Sequence, residues 1–96
     1  MDESLHEAVE AQARARVRGD DATFASYMTP QALLQLRANG HRPRSYRVVS
    51  VADRGGVGET SVRYEGDGTF LMRQRWEQRG GAWKSIDATQ ESDRAR

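Results

Sequence analysis

RQRWEQRGGAWKSID, residues 73–87, sets Trp76 and Trp83 among Arg73, Arg75, Arg79 and Lys84, around Gly80-Gly81. The stretch reads either as a nucleic-acid platform, with rings for bases and cations for phosphates, or as a β-hairpin with one apolar face. Register separates the two. A two-residue Gly-Gly turn of type I′ pairs Gln78 with Trp83, Glu77 with Lys84 and Trp76 with Ser85. Phe70, Met72, Trp76 and Trp83 then share one face, while Leu71, Arg73, Arg75, Glu77, Arg79, Lys84 and Ile86 take the other. The rings point away from most of the guanidinium groups and read as core. Nucleic acid is therefore not an expected partner.

Upstream turns extend the same face. A three-residue turn at Gly66-Asp67-Gly68 sets Tyr64 beside Phe70 and Val62 beside Met72, and a loop over 54–57 sets Val49 opposite Val62 and Val51 opposite Thr60. Strands are expected at about 46–53, 59–65, 69–79 and 82–90. The period before residue 41 is helical. Ser4-x-x-Glu7 forms a capping box ahead of Leu5, Ala8, Val9, Gln12/Ala13 and Val17, and Gly19 closes that helix. Asp20 or Asp21 caps a short second helix carrying Phe24, Tyr27 and Met28. Thr29-Pro30 opens a third, with Leu33, Leu34 and Leu36, before Gly40. Helices are expected at about 4–18, 21–28 and 30–39. Helices followed by an antiparallel meander with one apolar face predict an α+β fold, the helices packed on a curved four-stranded sheet.

Ninety-six residues suit one domain, 1–96, with one modest core. The net charge is +1, and acids such as Asp53, Glu59, Glu65 and Glu77 interrupt the basic second half, so no cationic stripe forms. Cysteine is absent, which excludes disulfides and thiolate chemistry. The opening MDESLHEAVEAQ has the character of neither a secretory signal nor a membrane span, so a cytoplasmic protein without membrane contact is expected.

Two stretches carry a family resemblance. Gly19, Asp20, Phe24 and Pro30 match a G-D-x-x-x-F-x-x-x-x-x-P run after the first helix. Gly81, Trp83, Lys84 and Ile86 match a terminal G-x-W-K/R-I-x strand, with Ser85 inserted before the isoleucine. In these features, and across nearly its whole length, the chain resembles the NTF2-like (cystatin-like, SnoaL-like) superfamily. The resemblance implies an α+β roll with a pocket between helices and sheet, here in a trimmed version. It also implies a choice among isomerases, dehydratases, cyclases, peptide-binding transport factors and non-catalytic accessory domains.

Chemistry is sparse. His6 and His41 lack partners at ligand or dyad spacing, HEAVE at 6–10 lacks the second histidine of a zinc motif, and GVGET lacks the lysine of a phosphate loop. Asp20-Asp21 reads as a cap, and no metal or cofactor is expected. Asp87 is the candidate acid: in the Gly-Gly register it faces Gln74 on the tryptophan side, where indoles would raise its pKa for acid–base work. The alternative is a solvated Asp87 at the open end of the roll. Tyr27, Tyr64, Trp76 and Trp83 would line a pocket for a small hydrophobic ligand, or simply fill the core, and Tyr46 is a further hydroxyl.

The far face keeps Val48, Leu71, Ile86 and Ala88 among its arginines. A homodimer or other protein contact through Leu71, Arg73, Arg75, Lys84 and Ile86 accounts for that mixture. So does a monomer whose arginine stems cover the aliphatics. The expected function is a non-catalytic association or accessory domain. The alternative is a ligand-binding protein or isomerase/cyclase-like enzyme with Asp87 as its acid.

Overall fold

The computed structural model describes residues 4–36, 43–66 and 68–92. Three helices precede four strands: α1 Leu5–Arg18, α2 Asp21–Ser26, α3 Pro30–Gln35, β1 Ser45–Asp53, β2 Val57–Glu65, β3 Thr69–Arg79 and β4 Ala82–Ser92. The strands form one antiparallel sheet in the order β1-β2-β3-β4. The fold is the α+β roll that the sequence pattern implies.

Local chemistry sets each helix. Ser4 Oγ accepts from the Glu7 amide at 3.1 Å while the Ser4 amide donates to Glu7 Oε1 at 2.9 Å, so two open donors of α1 are satisfied reciprocally. Leu5, Ala8, Val9, Gln12, Ala13 and Ala15 turn inward. Asp20 caps α2 through the Thr23 amide at 3.2 Å, and Thr29 caps α3 through the Ala32 amide at 3.2 Å with Pro30 in the first turn. Tyr27 and Met28, expected to end α2, lie beyond it: Tyr27 is its C-cap and Met28 forms a bridge to Ser85. The backbone here pairs with β4: the Ser85 amide donates to the Tyr27 carbonyl at 2.7 Å, and the Thr29 amide to the Ser85 carbonyl at 2.9 Å. Gln35 Oε1 then accepts from the Ala88 amide at 3.0 Å. The outer edge of β4 is thus partly covered from within the chain. α3 ends at Gln35 with Leu36 as its cap, whereas residue 39 was the expected limit; Gly40 and His41 lie outside the described residues.

Gly80 and Gly81 have φ of 58° and 83°, the pair of left-handed residues that a type I′ turn requires. The predicted pairs Gln78–Trp83, Glu77–Lys84 and Trp76–Ser85 follow from it. Tyr64–Phe70, Val62–Met72 and Val51–Thr60 are also paired as the turns predict. Gly58 lies opposite Trp76, and a Cβ there would overlap the Leu5 side chain, so the start of α1 rests directly on backbone.

Two bulges break the alternation, one in each edge strand. In β1 the register passes from Val48↔Val62 to Ser50↔Ser61, skipping Val49. In β4 it passes from Ser85↔Trp76 to Asp87↔Arg75, skipping Ile86. One extra residue reverses the facing of every side chain beyond it. Val48, not Val49, therefore lies opposite Val62 and packs on the core, while Val49 is exposed. Ala88, expected on the far face, is 1% exposed and lies opposite Gln74. Asp87, expected opposite Gln74 among the indoles, lies opposite Arg75 and is exposed.

Candidate functional site

The two faces of the sheet are chemically distinct. On the inner face, among the described residues, the large side chains are buried in one core. Trp76 is 0% and Trp83 2% exposed, with Val9, Val62 and Met72 packed in the same core. The Trp76 indole Nε1 donates to Thr60 Oγ1 at 2.9 Å, and Tyr27 meets the Trp76 ring edge-on, 6.4 Å between centroids. Both tryptophans are thus withdrawn from stacking partners, as the hairpin register requires.

Gln12 on α1 and Gln74 on β3 form a buried reciprocal amide pair, with Nε2-to-Oε1 distances of 3.0 and 2.8 Å. Each amide satisfies the other, which is why two polar side chains stand at the centre of the helix–sheet contact. The available signal was Gln12 itself, a polar residue standing on the apolar stripe of α1.

Tyr64 lies towards the other end of the inner face, between Tyr46 and Phe70 in register. Its hydroxyl is buried and has no hydrogen-bond partner among the described residues, and the same holds for the Ser85 hydroxyl. Burial pushes the Tyr64 phenol pKa far above its ordinary 10.0; Arg16 opposes the shift and Tyr46 adds to it. Tyr46 is also raised, chiefly because its hydroxyl donates to Glu10 Oε2 at 2.7 Å. The four expected lining residues Tyr27, Tyr64, Trp76 and Trp83 are therefore all inward, but they take part in packing.

A raised phenol pKa means that the fold loses stability as pH rises above 10.0, where the phenol of the unfolded chain ionises and the buried one of Tyr64 does not. Tyr64→Phe removes both the unpartnered hydroxyl and this titration. The variant is expected to be more stable by about 1 kcal/mol. It should also lose part of the alkaline destabilisation of the parent chain. Urea melts at neutral pH and above pH 10 check both; a less stable Phe variant would show that the hydroxyl has a partner.

On the outer face lies a groove of about 430 Å³. It is lined by the small Ser50, Ala52 and Ser61 and by Glu59, Arg73, Arg75, Asp87 and Thr89. Arg73 pairs with Glu91 at 3.3 Å and Arg79 with Glu77 at 2.8 Å. Arg75 and Asp87 are cross-strand neighbours, yet no ion pair or hydrogen bond joins them. Of the expected contact residues, Leu71, Arg73 and Arg75 occupy this face by register, with Leu71 half-buried. Ile86 is the half-buried bulge residue, and Lys84 reaches round the edge of β4, where its Nζ donates to the Ser26 carbonyl. Val57, not singled out by sequence, adds an aliphatic side chain 44% exposed at the Glu77 end.

Among the described residues, no three His, Cys, Asp or Glu side chains come together as a metal site. No helix among them is long and apolar enough to cross a membrane.

No protein-family model and no curated protein matches the chain. Solved structures do. An NTF-2-like protein of unknown function from Shewanella baltica OS155 superposes with a TM-score of 0.72 at 10% identity, over 93% of this chain and 90% of that one. One from Silicibacter pomeroyi DSS-3 gives 0.71 at 15% identity, over 93% and 92%. Another, from Burkholderia xenovorans LB400, gives 0.67 at 20% identity, over 95% and 84%. With its helices laid on a four-stranded antiparallel meander, the chain has the NTF2-like fold.

Proposed function

We propose that the chain is a non-catalytic association domain that forms a homodimer through the outer face of its sheet. The supporting observation is the contrast between the two faces. The inner one buries Trp76, Met72 and Val62, whereas the outer one combines a groove, opposed charges and the aliphatics Val57, Leu71 and Ile86. Aliphatic side chains set among charged and small polar ones match the mixed composition of a protein–protein contact. Four strands about 4.8 Å apart and about ten residues long present roughly 600 Å² of face, close to the ~800 Å² per partner of a stable interface.

Sedimentation equilibrium is expected to give twice the 10.8 kDa chain mass at micromolar concentration. Leu71→Glu, which sets a carboxylate in the contact without touching the core, is expected to weaken association at least tenfold. A parent chain that sediments at 10.8 kDa across the range would overturn the reading.

One observation favours a second reading, a small hydrophobic-ligand binder or isomerase/cyclase-like enzyme. The Tyr64 and Ser85 hydroxyls are buried without partners, as groups awaiting a ligand would be. Against it stand the packed interior and the place of Asp87 on the outer face, which leaves the inner side without the acid that reading assigned to it.

A further inference from the structure

We infer that, in the homodimer proposed above and resting on it, Arg75 of each copy forms an ion pair with Asp87 of the other. The bulge at Ile86 is what makes the contact available. Without the extra residue Asp87 would face inward; with it, a carboxylate stands on the outer face directly across from Arg75. Two opposite charges in adjacent strands ordinarily close on one another. Here they do not, although Arg73 and Arg79 on the same strand are both paired, with Glu91 and Glu77. Among the described residues neither Arg75 nor Asp87 has another ionic partner, and both are available to an incoming surface.

The shape of the face agrees with the charge. Ser50, Ala52 and Ser61 are short and leave the hollow, while Arg75 is long and exposed beside it. Knob and hollow lie on one surface. A twofold contact needs this, because residue i of one copy meets residue j of the other while j meets i. Docking face to face brings each guanidinium over the partner's hollow, where Glu59 and Asp87 supply negative charge. The same two acids disfavour a free anion as the groove's occupant.

The test is a charge exchange. Arg75→Glu sets carboxylate against Asp87 in both halves of the dimer, and Asp87→Lys sets ammonium against Arg75. Each variant alone is expected to dissociate at least tenfold more readily than the parent. Mixed in equal amounts, they are expected to form a one-to-one heterodimer with near-parental affinity. In the mixture the introduced charges meet each other, and the native Asp87 meets the native Arg75. Pairing within one chain predicts no such rescue, because each variant carries its own like-charge pair into any mixture. Sedimentation, with one variant fluorescently labelled, reads the result, and circular dichroism confirms that both variants are folded. A dimeric parent whose variants stay dimeric, or whose mixture stays monomeric, overturns the pairing and leaves the dimer standing. A monomeric parent overturns both and assigns the groove to a different occupant.

Discussion

Trp76→Ala is expected to cost about 3–5 kcal/mol, as much as most of the stability of a chain this size. Trp76 is 0% exposed, lies opposite Gly58 and Ser85 in the centre of the sheet, and touches Tyr27. Truncation removes the largest fully buried side chain of the core and strands the Thr60 hydroxyl that its indole holds. At about 4–8 °C per kcal/mol for a chain of 60–100 residues, the melting temperature should fall by well over 10 °C, or the variant should fail to fold. In the Leu71→Glu chain, where association is weakened, Arg75→Ala, one residue away and on the other face, should change stability by no more than about 0.5 kcal/mol. Thermal melts of the two variants side by side measure how completely the strand separates ring from cation. Similar losses at both positions would mean that it does not.

The second large effect belongs to the Gln12–Gln74 pair. Gln12→Leu leaves the Gln74 amide buried with neither its donor nor its acceptor satisfied, and is expected to cost about 2–4 kcal/mol. Gln74→Leu should cost a similar amount from the other side. The double variant Gln12→Leu/Gln74→Leu places two aliphatic side chains of similar size in contact and should recover most of the loss. The resulting coupling, read from urea melts in a double-mutant cycle, is expected to exceed 1 kcal/mol. Additive losses would show that the amides are satisfied separately, by water or by backbone.

These two positions differ in how far sequence alone reveals them. The face of Trp76 follows from Gly80-Gly81, because a two-residue turn that needs left-handed residues at both places fixes the pairing of everything close to it. The same holds for Val62 and Tyr64 beside the second turn. The caps at Ser4, Asp20 and Thr29 are legible for a similar reason: each is made within three residues. Long-range partners are not local in this sense. Nothing near Gln12 in the chain points to Gln74, and nothing near Gln35 points to the Ala88 amide.

The bulges are the instructive failure. Strict alternation, carried outward from a correctly placed turn, holds from Trp83 to Ser85 and then inverts at Ile86; in β1 the pairing slips by one residue at Val49 in the same way. Both are edge strands, where an unpaired residue costs only one side of the ladder. Val48 and Ala88 are drawn into the core that alternation denied them, and Asp87 is displaced from it. For β4 a signal exists, since Ser85 is one residue more than the terminal strand pattern G-x-W-K/R-I-x contains. An insertion that leaves the turn and the tryptophan in place has to be absorbed inside the strand, and a bulge absorbs it.

That reversal moves the Asp87 carboxylate from the indole side to the outer face, where the proposed contact needs it. The chain has no cysteine, so single thiols report on it directly. Asp87→Cys and Ala88→Cys, each placed in the Leu71→Glu chain so that the outer face is open to water, are to be compared by their rate of reaction with a maleimide under native conditions. Position 87 is expected to react nearly as fast as the unfolded chain and position 88 at least a hundredfold more slowly; a protected thiol at 87 with a reactive one at 88 would contradict the account.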